Sequence, residues 1–558
     1  MISRVAVLRL GAVLAAMVCL LLAVHPPAAW SVSYTKINGS GSTWSSNALD
    51  QWRRNVSSNI GLTINFTASG SSVGRQEFKE GVSDFGVSEI PYGLTEGGTA
   101  DPPPSKRSYA YMPIVAGGTS FMYNLRIGGK MVTNLRLSGE VITKIFTGKI
   151  TMWNAPEIKA DNPKLTLPAR KVVPVVRSDG SGTTAQFTTW MSKEYGSLWN
   201  DYCRRAGRST PCGLTSYYPV IPGSATVAKS GSLGVAGSVK QSQFEGAITY
   251  VEYSYAMKTG FPVAKLLNKS GYYVEPTASS VAVALLQAKI NEDKNSADYL
   301  TQILDGVYHS TDRRTYPLSS YSYMIIPTST QLGFTTGKGK SLGTFANYFL
   351  CDGQQQAEEL GYSPLPVNLV QKGFDQVRKI PGAPLANINI KNCRNPTFST
   401  DGSNTLAKNA PYPKACDKQG AQQCADGTAG AKDKPTNVGG SSGGSGTSGG
   451  GTTGGSASGG SGTAGTTAGA AGGSTAGGST AGGTTGAVDP DTGEQLGAGG
   501  TGDTSVTGTP VNLASADSMG LRGALMALSA ALLLGVVVGP PVAARALAAR
   551  ARRKGDVR

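Results

Sequence analysis

Four short segments combine glycine, hydroxyl side chains and the start of a helical pattern. They are Asn38-Gly39-Ser40-Gly41-Ser42-Thr43-Trp44, Ala68-Ser69-Gly70-Ser71-Ser72-Val73-Gly74, Ser83-Asp84-Phe85-Gly86-Val87-Ser88-Glu89 and Val176-Arg177-Ser178-Asp179-Gly180-Ser181-Gly182-Thr183-Thr184. Glycine lets a backbone approach a guest closely, and the first N–H groups of a helix have no partner within it. The helix dipole favours negative charge at the same place. Several such starts, with Ser and Thr hydroxyls added, supply the donors that a desolvated oxyanion requires. Taken singly, a Ser/Gly turn before a helix is an N-cap, Arg177 a surface ion pair and Asp84 a turn residue. Four in one module favour an anion-binding cage. Arg177 would bring permanent charge and a fork of donors.

The elements around these segments alternate. Leu62–Phe66, Met112–Val115, Val172–Val176, Ala247–Val251 and Tyr323–Pro327 read as strands. Ser45–Asn55, Leu137–Phe146, Ala185–Lys193 and Ser279–Asn291 read as helices. Such alternation implies α/β layers with largely parallel sheets, whose ligands bind beyond the carboxyl ends of the strands. Two other motifs are decoys. Gly337-Lys338-Gly339-Lys340-Ser341 resembles the end of a phosphate-cradling loop, but Phe334 stands where its first glycine belongs. Gly339-Lys340-Ser341-Leu342-Gly343 matches a hydrolase elbow, yet no histidine follows Ser341. Both read as a helix-opening turn with solvated lysines.

The 558 residues carry a net charge of +16, seven cysteines, two histidines and 75 glycines. About 28 of those glycines fall between Gly439 and Gly508, and no Phe, Trp or Tyr follows Tyr412. That stretch cannot bury enough apolar surface to offset the entropy of ordering it. His25 lies in the leader, which leaves His309 for the folded part. A His-based zinc site or a Ser-His-Asp machine needs more, so no metal or other cofactor is expected.

Arg4 and Arg9 precede the apolar run Leu10–Val24, followed by Pro26, Pro27, Ala28 and Ala29. This reads as a secretory signal over 1–29. Gly523–Ala544 is uncharged and apolar, long enough to span a bilayer, and a basic tail over 545–558 follows it. The positive-inside rule puts that tail in the cytoplasm and the rest outside, on the cell-wall side of the membrane. Between them, 431–522 reads as a flexible Gly/Ser/Thr linker reaching about 50 Å over its last 84 residues. Subtracting +2 for the leader and +5 for the tail leaves about +9 scattered over the remainder. Such mild basicity suits attraction to anions, not nucleic-acid reading. The exported cysteines Cys203, Cys212, Cys351, Cys393, Cys416 and Cys424 are even in number and imply disulfides. The local pairing is Cys203–Cys212, Cys351–Cys393 and Cys416–Cys424, one of about fifteen possible connectivities.

Gly39–Trp44, Ser83–Gly86 and especially Arg177–Thr183 resemble the signature loops of the phosphate-binding protein of bacterial phosphate ABC transporters. Ile145-Phe146-Thr147-Gly148-Lys149-Ile150 with Trp153, and Gly246 through Tyr253, extend the likeness, which runs in order from about Tyr34 to Ile380. The resemblance implies a two-lobed periplasmic-binding-protein fold of type II over 30–430. The first lobe would comprise about 33–120 plus 264–425 and the second about 121–263, with crossovers near Phe121–Asn124 and Lys258–Val263. It implies a monomer that captures inorganic phosphate, hands it to permease subunits and does no catalysis. By position, the family's ligand residues fall on Thr43, Trp44 (through its backbone N–H), Ser71, Asp84, Arg177, Ser181, Gly182 and Thr183. Phe is usual where Trp44 stands, and the Ser71 loop is one residue shorter than usual. An ionised Asp84 accepts hydrogen bonds and donates none, so it would admit hydrogen phosphate and repel sulfate. A phosphatase using the same cage, or a surface interaction or sensor protein reusing the fold, are the competing functions.

Overall fold

The computed structural model describes residues 33–437, apart from short stretches at 97–98, 294, 297–298, 300, 385–389, 391–392 and 400–402. The expected signal, the apolar run 523–544, the basic tail and most of the linker lie outside the described residues. Among the described residues no helix is long and apolar enough to cross a membrane.

The elements that position the site follow one another as β1 (Ile37–Gly41), α1 (Ser46–Ile60), β2 (Ile64–Thr67), α2 (Ser71–Glu80), β3 (Phe85–Ser88) and the long β4 (Tyr109–Tyr123). Then come α3 (Gly139–Phe146), β5 (Val173–Arg177), α4 (Gly182–Glu194), α5 (Gly196–Arg205), β6 (Val227–Lys229), α6 (Gly231–Lys240), β7 (Ala247–Glu252) and α7 (Tyr253–Thr259). The last are β8 (Val263–Leu267), α8 (Ala278–Leu285), β9 (Ser319–Pro327) and α9 (Thr336–Leu350). The main sheet runs β6-β5-β7-β4-β9-β3-β1-β2. The trios β2-β1-β3 and β6-β5-β7 are parallel, whereas β4 lies antiparallel to both β9 and β7. The expectation of largely parallel sheets therefore holds within each trio and fails at β4 and β9, which join them.

The two largest hydrophobic cores among the described residues flank this arrangement. Ile37, Trp52, Phe85, Ile325 and Phe349 belong to the first, and Phe121, Phe146, Phe187, Trp199 and Tyr250 to the second. Helix α1 shows how the pattern works. It buries Ala48, Leu49, Trp52 and Val56 on one face and stops at Gly61, whose φ of 69° only glycine adopts freely. Strand β4 serves both lobes: residues 109–118 pair with β9 and residues 119–123 with β7. The crossing thus falls at Gly118–Thr119, just before the expected Phe121–Asn124.

The second lobe is larger than the resemblance implied. Strand β8 stays beside β4, through Val263↔Met122 and Ala264↔Phe121, so Lys258–Val263 lies within that lobe. Leu304, Val307, Tyr316 and Leu318 fill the same core, whereas Val281 and Leu285 of α8 belong to the first, so the chain passes between the lobes before β9 begins. The folded region also runs past 430, because Thr133 N–H donates to Thr436 Oγ1 at 2.8 Å. Residues 416–436 strap this lobe: the Arg136 guanidinium donates to the carbonyls of Cys416 and Gln422, and buried Lys265 pairs with Asp417. Helix α8 ends at Leu285, six residues before the expected Asn291; Lys289–Ile290 instead pairs as a short strand with Gln302–Ile303. All three local disulfides are present.

Candidate functional site

The parallel trios end on the same edge, where three helix starts converge. Ser42 and Thr43 follow β1, Ser71 opens α2, and Glu89 follows β3. From the second lobe, Arg177 ends β5, Gly182 and Thr183 open α4, and Ser232 lies in the first turn of α6. All of these are buried; Glu89 is 1% and Arg177 2% exposed. Two expected roles for glycine change here. A side chain at Gly39 would strike the Phe85 ring, and one at Gly74 would strike Gly41, so these glycines let α2 and the strands pack closely rather than admit a guest.

Glu89 is the centre of the cluster. Its Oε2 accepts from Ser42 Oγ at 2.7 Å and Ser71 Oγ at 2.9 Å, and its Oε1 accepts from Ser322 Oγ at 2.7 Å. Burial raises the Glu89 carboxyl above its ordinary range, against the pull of those three hydroxyls and the Arg177 charge. The two lobes meet around it. Gly182 N–H donates to Ser71 Oγ at 3.1 Å, and Ser232 N–H donates to Thr43 Oγ1 at 3.2 Å. Thr43 Oγ1 and Ser232 Oγ also lie 2.8 Å apart.

Arg177 is held by Asp179, which takes its Nε at 2.7 Å and its Nη2, while Nη1 reaches Ser232 Oγ at 3.4 Å. Burial alone would raise the Asp179 carboxyl, but the Arg177 guanidinium more than offsets that and holds it low. Trp44 N–H donates to Ser42 Oγ at 3.0 Å, with its ring buried edge-on to Tyr362. Ser181 Oγ caps α4 by accepting from Thr184 N–H, and Thr183 Oγ1 is buried without a partner among the described residues. Seven of the eight expected ligand residues therefore surround the cleft between the lobes.

Asp84 does not join them. It precedes β3, at the opposite end from Glu89 and roughly 16 Å away along the strand. Its Oδ2 accepts from Asn38 N–H at 2.8 Å and its Oδ1 pairs with Lys338 at 2.9 Å. The physical reason is register: Gly39 pairs with Phe85, so Asp84 lies level with Asn38, well short of the strand ends. Lys338, expected to be solvated, is its partner. Glu89 closes the same seven-residue segment, and its place after the strand was the signal for it. Ser232 repeats the glycine-hydroxyl-helix pattern in Lys229-Ser230-Gly231-Ser232. Ser322, inside β9, carries no local signal. Among the described residues no cluster of His, Cys, Asp and Glu is arranged to hold a metal ion.

Chemically, this is a buried cluster of N–H and O–H donors, with a guanidinium neutralised by Asp179 and a Glu89 carboxylate held by hydroxyls. Comparison with known proteins gives the chain its relatives. A family model described as a PBP superfamily domain matches residues 26–353. The phosphate-binding protein PstS of Xylella fastidiosa strain Temecula1 is 31% identical over 355 residues, covering 62% of this chain and 86% of that one. PstS of Haemophilus influenzae is 30% identical over 346 residues, covering 60% and 90%. Among solved structures, a phosphate-binding protein from Stenotrophomonas maltophilia aligns with a TM-score of 0.45 at 15% identity, covering 66% of this chain and 99% of that one. By family model and by sequence, the chain belongs to the PstS family of phosphate-binding proteins, within the PBP superfamily.

Proposed function

We propose that this protein is a non-enzymatic, extracytoplasmic solute-binding protein of type II architecture that captures inorganic phosphate for ABC-type import. A helix over 523–544 would hold it at the cell membrane, with the binding domain outside and the basic tail inside. The monomer would close its two lobes on one phosphate and pass it to permease subunits. The observation that carries the reading is the buried meeting of Ser71, Glu89, Arg177 and Gly182 between the lobes.

Glu89, not Asp84, takes the selecting role. An ionised Glu89 accepts hydrogen bonds and offers none, so a guest beside it must bring its own proton. Hydrogen phosphate has one and sulfate at neutral pH does not. The backbone N–H groups of Trp44 and Gly182, the hydroxyls of Thr43, Ser71, Ser181 and Thr183, and the Arg177 fork supply the donors for the remaining oxygens.

Calorimetric titration of the purified full-length protein with phosphate, arsenate and sulfate tests this. Phosphate is expected to bind with one site per chain and sulfate to give no heat at equal concentration. No binding of phosphate, or release of product from a chromogenic phosphate ester, would overturn it. Protease treatment of intact cells, with an epitope on the C-terminal tail protected and the binding domain cleaved, tests the topology.

A further inference from the structure

The residues of the site are buried and bonded across the two lobes, so the contacts where the lobes touch set how readily they part. There residues 178–182 of the second lobe lie against residues 70–72 of the first. Ser72 N–H donates across to Gly180 O at 3.1 Å. A Cβ on Gly180 would lie 2.4 Å from Ser72 Oγ, 2.5 Å from Ser72 Cβ and 2.7 Å from Tyr217 Oη. A Cβ on Gly70 would lie 2.9 Å from Asp179 Oδ2 and 3.0 Å from Gly180 O. Backbone therefore meets backbone with no room for a methyl group on either side.

The two glycines differ in kind. Gly70 has φ of 98°, so its own backbone demands glycine. Gly180 is not among the residues with positive φ, so nothing in its own strand-to-helix turn excludes alanine. What excludes it is the opposite lobe, through Ser72, and the hydroxyl end of Tyr217 from its own lobe. Tyr217 is 46% exposed, while Gly180 beneath it is buried. Its loop is fixed to the same lobe, with Tyr217 N–H donating to Thr215 Oγ1 and Ser181 N–H to Ser216 O. Solvent, Tyr217, the Gly180–Ser72 contact and then the Ser71–Gly182–Glu89 cluster thus follow one another inward.

We propose that Gly180, seated on Ser72 and roofed by Tyr217, is the release gate of the cleft: its missing side chain sets how completely the lobes close, and so how slowly the guest leaves. The identity of the guest rests on the phosphate reading above; the gate itself rests on the contact between the lobes. Because Gly180 makes no side-chain contact with any guest, it acts by positioning the loop that carries Ser181 and Gly182.

The test uses the full-length protein carrying Gly180→Ala, Ser72→Gly, or both. Stopped-flow release of inorganic phosphate into a fluorescent phosphate trap should be about ten- to a hundredfold faster in Gly180→Ala, with the association rate changed less than about threefold, as overpacking of a closed contact predicts. Adding Ser72→Gly removes both clashing Ser72 atoms and leaves only the Tyr217 hydroxyl, the far end of an exposed side chain that can swing outward, so release should return to near the wild-type rate. Hydrogen exchange reads the gate with no ligand present: the peptide over residues 68–78 should exchange faster in Gly180→Ala and recover in the double variant, with core peptides of β4 and β9 unchanged. Unchanged exchange in that peptide, or failure of Ser72→Gly to restore it, overturns the gate. A wild-type protein that binds no phosphate overturns the functional reading alone, since exchange still reports on the gate.

Discussion

Strand β3 carries a carboxylate at each end, and the two live in different chemical worlds. Asp84, at the amino end, takes a backbone N–H from Asn38 and an ammonium from Lys338, and it sits at the rim of the sheet. Glu89, at the carboxyl end, takes three hydroxyls and lies buried where helix starts from both lobes converge. Nothing in the residue types separates them; both are acids in one short segment. What separates them is sheet polarity. In a parallel trio every helix that follows a strand begins at the carboxyl edge, so that edge gathers unpaired N–H groups and positive dipole ends. The opposite edge gathers the ends of those helices and, because β9 runs antiparallel, the start of α9, whose first turn brings Lys338 to Asp84.

The comparison is broken most directly at the cation that serves the carboxyl edge. Arg177→Ala should weaken phosphate affinity by at least about a hundredfold, because it removes a buried charged donor and leaves half-buried Asp179 with the Gly231 N–H but no counter-charge. Calorimetry reads the loss, and circular dichroism confirms that the variant is folded. Unchanged affinity would place the guest elsewhere. Next in size is the acid itself. Glu89→Gln turns a pure acceptor into a group whose amide can donate to sulfate, so the preference for phosphate over sulfate should fall roughly tenfold. Competition dialysis measures the ratio directly.

A second carboxylate sharpens what burial alone does. Glu252 ends β7 as Glu89 follows β3, but the Ser254 and Tyr362 hydroxyls near it are fewer than the three around Glu89, and its Oε2 accepts from Ser254 N–H at 2.8 Å. Burial pushes its carboxyl well above the ordinary value of 4.5, with the Ser254 bonds opposing. A raised acid stabilises the fold fully below its unfolded value. That contribution is lost as pH rises from about 4.5 toward the folded value. Glu252→Gln, which stays neutral, should therefore match the wild type near pH 4 and exceed its melting temperature by about 1–3 °C at pH 8. A gap that shrinks with rising pH would reverse the assignment.

Much of this was readable beforehand, and the reasons are specific. The loops at Thr43, Ser71 and Arg177–Thr183 announce themselves because each pairs glycine and hydroxyl with a helix start, and a helix start is a local property. The pairing Cys203–Cys212 was readable because short loops bring their ends together. The expectation at Asp84 misses Glu89 because the position depends on where β3 begins, and a four-residue strand offers no periodicity to fix its register. Ser322 could not be seen at all: it reaches Glu89 across 233 positions from the middle of β9. The extent of the second lobe was hidden for a similar reason, since β8 chooses its partner on β4 through side chains more than 140 residues earlier.

The smallest effect on binding is the one that isolates the comparison. Asp84→Asn keeps an oxygen for the Asn38 N–H and loses the attraction of Lys338, whose side chain is 28% exposed, and of nearby Arg107. With the lysine end partly in water and the carboxylate buried, the loss should be about 1–2 kcal/mol, so the melting temperature should fall by a few degrees, and less so in high salt. Because the amino end of β3 faces no guest, the phosphate-to-sulfate ratio should stay at the wild-type value in the very assay that Glu89→Gln disturbs. If Asp84→Asn shifted that ratio as strongly as Glu89→Gln, the two ends of the strand would share one function, and sheet polarity would not be what sorts the acids.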